Sequence, residues 1–292
     1  MRVMVLGANG MLGHKLIQTL SEHFDVIGTV RDDAKNFSQH PVLGSMELLG
    51  NVCADQFDSV RKAIDFYGPD YVVNCIGIVK QLPSAHDAIA SITINALFPH
   101  QLAQYCRDSG TRVVHYSTDC IFSGNVGNYK EEDFPDATDL YGRTKYLGEV
   151  DYENCLTLRT SIIGRELGKS HSLIEWFIAQ NGKCIKGYTK AIFSGLTTKV
   201  HGDILSQIFR QWPQLSGIYH LAAKPISKYA LLSLVKEKYG LDITIEPDET
   251  VVCDRSLDGS KFFQKTGLAP PDWDRMIEDM LVDEKSYHSL RN

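Results

Sequence analysis

The stretch Met1–Gly13, MRVMVLGANGMLG, decides the fold. An apolar run, Val3–Leu6, enters Gly7-Ala8-Asn9-Gly10-Met11-Leu12-Gly13, and a helical pattern begins at Met11. Continuous short hydrophobicity closed by glycine reads as a strand buried on both faces. Gly7 permits a tight turn out of that strand, Gly10 lets the backbone approach a phosphate, and Gly13 lets the next helix pack closely on the sheet. The N-terminus of that helix offers free N–H groups to an anion. The spacing is G-x-x-G-x-x-G, one residue longer than the usual dinucleotide fingerprint, but it stands between a strand and a helix as the mechanism requires. Gly7, Asn9, Gly10, Met11, Leu12 and Gly13 are therefore expected to hold the pyrophosphate of a dinucleotide.

Working outward, apolar runs recur at Val26–Val30, Tyr71–Ile76, Arg112–Ser117, Leu156–Ile163 and Gly217–Ala222. Helical patterns lie among and after them: Met11–His23, Gln56–Tyr67, Ala88–Ser109, Tyr141–Tyr152, Ser172–Asn181, Lys199–Gln211 and Ser227–Tyr239. This alternation predicts an α/β fold with a doubly wound parallel sheet. After about residue 165 the pattern loosens into Gly-, Lys- and Pro-rich joints. Residues 1–165 are expected to form the dinucleotide-binding domain, with a return segment near 196–223. Residues 166–292 are expected to be mainly a smaller, partly interleaved substrate lobe.

The 292 residues are 43% apolar and 23% charged, an ordinary globular composition. A net charge of −6 gives no basic field for nucleic acid. The longest nearly apolar stretch, Tyr71–Val79, is about half the roughly 20 residues needed to span a bilayer. The opening residues lack the apolar block of a signal peptide. A cytoplasmic protein with no nucleic-acid or membrane partner is expected. Seven cysteines without a C-x-x-C pair, and ten histidines without ligand spacing, predict neither a disulfide framework nor a metal.

The second strand ends at Thr29-Val30-Arg31-Asp32-Asp33, about 20 residues past the glycines, where an adenosine ribose would lie. Arg31, with Lys35 close behind, suits a 2′-phosphate, whereas Asp32 or Asp33 would suit a 2′-hydroxyl. NADP(H) is preferred and NAD(H) stays open. Asn51 and Val52, after the third strand, fall near the adenine. The fifth strand delivers Ser117-Thr118-Asp119 at its C-terminal end, where open parallel sheets bind ligands. Downstream comes Tyr141-Gly142-Arg143-Thr144-Lys145. Positions i and i+4 share a helix face, so phenol and ammonium can meet in one cleft. A free Tyr has a pKa of roughly 10, and a neighbouring Lys⁺ is expected to lower it toward useful acid–base exchange. Thr118 is placed to hold a substrate carbonyl.

At these residues the chain resembles the extended short-chain dehydrogenase/reductases, and most closely the dTDP-4-dehydrorhamnose reductase family. GANGMLG, VVNCIG, INALFP (Ile94–Pro99), STDCIFSG (Ser117–Gly124), YGRTKYLGE (Tyr141–Glu149) and LRTSIIG (Leu158–Gly164) carry the likeness. GIYHLAA (Gly217–Ala223) and DRSLDGSKF (Asp254–Phe262) extend it over nearly the whole chain. The resemblance implies a Rossmann-type sheet, catalysis by Thr118, Tyr141 and Lys145, and a nucleotide-sugar partner bound by the C-terminal lobe. It adds Cys75, Ile76, Gly77, Ser117, Tyr141 and Lys145 to the cofactor-binding set. Family members often pair, so a homodimer is one expected assembly. Where the family commonly reads S-T-D-Y-V-F, Cys120 and Ile121 replace the Tyr and Val. The Asp-Glu pair of related dehydratases is absent, because Cys120 follows Asp119.

The expected reaction is NADPH-dependent reduction of the 4-keto group of a dTDP- or UDP-linked 6-deoxyhexose. A nucleotide-sugar epimerase, a bifunctional epimerase/reductase and a non-catalytic NADP-binding regulatory subunit are the alternatives. Lys80 and Gln81 at the mouth of the site, Asp119, and Arg255 in the late family-like segment are the expected substrate contacts. His14, Lys15 and Asn95 lie near the cofactor region by motif, where packing or capping explains them equally well.

Overall fold

The structure is a computed structural model and describes residues 1–80, 86–168, 172–283 and 287. Gln81 lies outside the described residues. The first half runs β1 (Arg2–Leu6), α1 (Met11–Leu20), β2 (Asp25–Thr29), β3 (Leu48–Leu49), α2 (Phe57–Tyr67), β4 (Tyr71–Asn74), α3 (Ala88–Ser91), α4 (Phe98–Asp108), β5 (Arg112–Tyr116) and α5 (Leu140–Leu147). Next come β6 (Cys155–Arg159), β7 (Ile162–Ile163), α6 (Leu173–Ile178), β8 (Cys184–Tyr188), β9 (Ala191–Phe193), β10 (Leu196–Thr197) and α7 (Thr198–Gln211). The chain then forms β11 (Gly217–His220), β12 (Ile226–Ser227), α8 (Lys228–Tyr239), β13 (Thr244–Asp248), β14 (Cys253–Asp254), α9 (Ser260–Thr266) and α10 (Trp273–Val282).

Seven parallel strands form the central sheet in the order β11-β6-β5-β4-β1-β2-β3. The continuous apolar runs follow from its two covered faces. Val3 and Val5 point into a core shared with Leu12 and Leu16 of α1 and Val200, Ile204 and Ile208 of α7. Met4 and Leu6 alternate to the opposite core, against Val60 and Ile64 of α2 and Phe98 and Leu102 of α4. This is the expected doubly wound, Rossmann-type sheet. Its strand order reverses between β1 and β4, and it is outside the C-terminal ends of strands at such a reversal that open α/β sheets bind ligands.

Three elements differ from the patterns expected of them. The run Leu156–Ile163 is not one strand, because β6 stays in the central sheet while β7 pairs with β10. β4 stops at Asn74, whose side-chain oxygen accepts the Ile76 N–H at 3.0 Å and turns the chain out of the sheet. The helix expected over Ala88–Ser109 contains a π-helical segment, Ile92–Leu97, between α3 and α4. Beyond β7 the chain forms a parallel pair, β8–β13, and a three-stranded sheet, β12-β9-β14, both separate from the central sheet. No described helix is long and apolar enough to cross a membrane.

Candidate active site

The turn after β1 is built by its glycines. Gly7 has φ +84°, a conformation L side chains rarely adopt. A Cβ on Gly13 would stand 2.1 Å from the Gly7 carbonyl oxygen, so α1 reaches the sheet only with glycine there. Gly10 begins α1 without any side-chain cap, and the first turn holds no acid. The leading N–H groups of α1 therefore remain available to a phosphate, and the loop fits a pyrophosphate. His14, directly behind Gly13, is fully buried and joins the Gly10 carbonyl at 2.8 Å through Nδ1. Its Nε2 lies 2.7 Å from the Tyr287 hydroxyl. Burial lowers its pKa to about 4, so the ring is neutral at pH 7. Nδ1 then donates to Gly10 and Nε2 accepts from Tyr287. Nothing in the local sequence pattern links His14 to position 287.

On the adenosine side, Arg31 and Asp32 are exposed. The Asp33 carboxylate instead accepts the Lys35 N–H at 3.0 Å and caps the next turn. Asn51 adopts a left-handed φ of 59° and donates its N–H to the Asp32 carbonyl, while the buried Val52 donates to Val30.

Cys75, Ile76 and Gly77, which follow the C-terminal end of β4, are half-buried. Asn95, in the π-helical segment, braces this loop: its Oδ1 accepts from Ile78 N at 2.8 Å and its Nδ2 donates to the Ile78 carbonyl at 3.1 Å. Nδ2 also reaches Thr144 Oγ1 at 3.4 Å, tying the loop to α5. Packing or capping alone does not describe Asn95. A π-turn has no reading in apolar periodicity, which is why its joining role escaped the sequence.

The β5 end and α5 bring Thr118, Tyr141 and Lys145 into one cluster. The Asp139 carboxylate caps α5 by accepting the Gly142 N–H at 2.9 Å, which sets the helix start and with it Tyr141. Lys145 is buried and donates from Nζ to the Tyr116 carbonyl at 2.7 Å. Burial pushes its pKa down to about 8, with Glu149 opposing that change. The Tyr141 phenol is held well above its ordinary value by burial, then by Cys120, while Thr118 pulls it down. Of the groups around the phenol, the Thr118 hydroxyl favours the phenolate, while Lys145, one helical turn on, gives a hydrogen bond to the Tyr116 carbonyl.

The remaining expected contacts divide. Ser117 Oγ donates to Glu149 Oε1 at 2.6 Å, so its hydroxyl is taken up inside the fold. Glu149 in turn holds Arg159 through two hydrogen bonds of 2.8 Å, both side chains being almost wholly buried. Asp119 is buried beside Thr118, whose hydroxyl lies 3.2 Å from its Oδ1, and burial raises its pKa. Arg255 donates from Nε to the Phe122 carbonyl at 2.8 Å, beside Cys120. Lys80 is half-exposed and pairs with Asp139 at 3.0 Å, next to the start of α5. Among the described residues no group of three or more His, Cys, Asp or Glu is placed to hold a metal.

The chain is similar to a Bacillus subtilis protein named Spore coat polysaccharide biosynthesis protein SpsK, with 25% identity across 98% of each chain. It is 25% identical to a dTDP-4-dehydrorhamnose reductase from Aggregatibacter actinomycetemcomitans, over 96% of this chain and 98% of that one. The crystal structure of dTDP-4-dehydrorhamnose reductase from Bacillus anthracis in complex with NADP shares the fold, with TM-score 0.80 and 19% identity over 97% of this chain and 99% of that one. Residues 1–285 match the RmlD substrate binding domain, so the protein belongs to that family, as its motifs led one to expect.

Proposed function

We propose that the protein is an NADPH-dependent reductase of the 4-keto group of a dTDP- or UDP-linked 6-deoxyhexose. It would act in the cytoplasm, in deoxysugar and surface polysaccharide synthesis. The observation that carries this reading is the cluster of Thr118, Tyr141 and Lys145 at the end of β5, across β4 from the uncapped glycine turn. The relatives named as nucleotide-sugar reductases support the substrate class.

A bound nicotinamide cofactor supplies the hydride that reduces the ketone carbon. Tyr141 donates a proton to the ketone oxygen as negative charge develops there. Burial keeps the phenol protonated until that moment, so it stands ready as the acid. Thr118 donates a hydrogen bond to the same oxygen. Lys145, one helical turn on, opposes the charge left on Tyr141 and holds the nicotinamide ribose. Gly7 to Gly13 hold the pyrophosphate, and Arg31 takes the 2′-phosphate, which favours NADP(H) over NAD(H). Residues 1–165 and the return at 196–223 would form the cofactor domain. The rest of the chain, with Lys80, Asp119 and Arg255, would hold the sugar nucleotide.

The direct test follows NADPH and NADH oxidation with a panel of dTDP- and UDP-4-keto-6-deoxyhexoses. Turnover with NADPH supports the reading, and cofactor binding without turnover on any member overturns it. The pH profile adds a second check. With the Lys145 pKa at about 8, the ammonium is present below that pH and lost above it. kcat/KM is therefore expected to fall on raising the pH through about 8, and a flat profile from pH 7 to 10 contradicts the role of Lys145.

A further inference from the structure

The second lobe brings to the end of β5 a cation that the reaction above does not use. β9 lies between β12 and β14, with Ile192 opposite both Ser227 and Asp254. The residue after each of those is basic: Lys228 follows Ser227 and Arg255 follows Asp254. Ser227 caps α8 by accepting the Ala230 N–H at 3.1 Å, so the backbone at Lys228 is fixed. The Lys228 ammonium sits 4.0 Å from the centroid of the Phe193 ring. Among the described residues no hydrogen bond or ion pair reaches that ammonium.

Burial lowers the Lys228 pKa, while the charge of Asp119, the residue after Thr118, opposes that change. Arg255 comes to the same wall, spending Nε on the Phe122 carbonyl and bringing Nη1 3.9 Å from Cys120 Sγ. Two cations thus face one buried carboxylate, Asp119, which is itself raised toward its neutral form. A half-buried ammonium without a hydrogen-bonded partner is costly, and an arriving dianion would satisfy it.

We propose that Lys228 binds the diphosphate of the nucleotide sugar, forming with Arg255 a two-cation seat carried on the strands that flank β9. The inference rests on the nucleotide-sugar reading above and adds a residue to it. The aromatic contact with Phe193 then keeps the lysine stem in place between binding events.

The test titrates dTDP and UDP into the NADP⁺-loaded protein. Lys228→Met, which keeps the apolar stem, is expected to raise Kd for the better-bound diphosphate by about tenfold or more. Lys228→Arg is expected to restore most of the affinity, and NADPH affinity is expected to be the same in all three proteins. The gap between wild type and Lys228→Met is expected to narrow as salt is added. Equal diphosphate affinity in wild type and Lys228→Met overturns the proposal, as does failure of Lys228→Arg to restore it or failure of wild type to bind either diphosphate. Keto-sugar turnover together with Lys228-independent binding rejects only this inference. Lys228-dependent binding without turnover rejects only the reductase reading.

Discussion

Tyr141→Phe is expected to lower kcat by about 10²- to 10⁴-fold while NADPH affinity stays at the wild-type level. The substitution removes one oxygen and keeps the ring, so the packing at the start of α5 is retained. What disappears is the only proton donor that the proposed mechanism aims at the ketone oxygen. Thr118 still offers a hydrogen bond to that oxygen, which leaves a residual rate above the uncatalysed one. Steady-state turnover beside a fluorescence titration of NADPH separates the two effects. Wild-type turnover in Tyr141→Phe would remove the proton-donor role and the mechanism with it.

The second large effect concerns stability. Arg159 and Glu149 have side chains only 4% and 3% exposed, joined by two hydrogen bonds of 2.8 Å. Arg159→Met leaves the Glu149 carboxylate buried without its partner, at a cost of about 3–5 kcal/mol. A large drop in the denaturant midpoint is the expected reading. Arg159→Met combined with Glu149→Leu is expected to recover part of that loss, because no charge is then stranded. The single variant should also disturb the site, since Ser117 bonds to the same carboxylate and Glu149 supports the charge of Lys145. A midpoint within experimental error of wild type for Arg159→Met would show that the pair contributes little.

Much of this fold was legible because its signals are local. Val3–Leu6 followed by Gly7, Gly10 and Gly13 is a pattern of neighbours, and Gly7 and Gly13 are each required within that one turn. The pairing of Tyr141 with Lys145 on one helix face follows from the helical repeat alone. The errors also have local causes. An apolar run such as Leu156–Ile163 carries no mark of where the chain changes sheets, because Leu156 and Leu158 of β6 and Ile162 and Ile163 of β7 are the same kind of aliphatic residue. The π-helical turn at Asn95 keeps the composition of an ordinary helix, so a continuous helix was the natural expectation.

The sequence by itself determined the strand–helix alternation, the glycine turn, the placing of Tyr141 and Lys145 on one helix and the family resemblance. All of these rest on spacings of two, three or four residues, or on short motifs. Only the tertiary structure decided which groups surround that pair. It set Lys145 against the Tyr116 carbonyl, took Ser117 into the Glu149–Arg159 network, braced α5 through Asn95, and brought Tyr287 to His14 and Lys228 toward Asp119. These partners come from elements far apart in the chain, where no periodicity records them. Burial then changes what each group does: it lifts the Tyr141 phenol and lowers the Lys145 ammonium, shifts that depend on the packed surroundings and not on residue type.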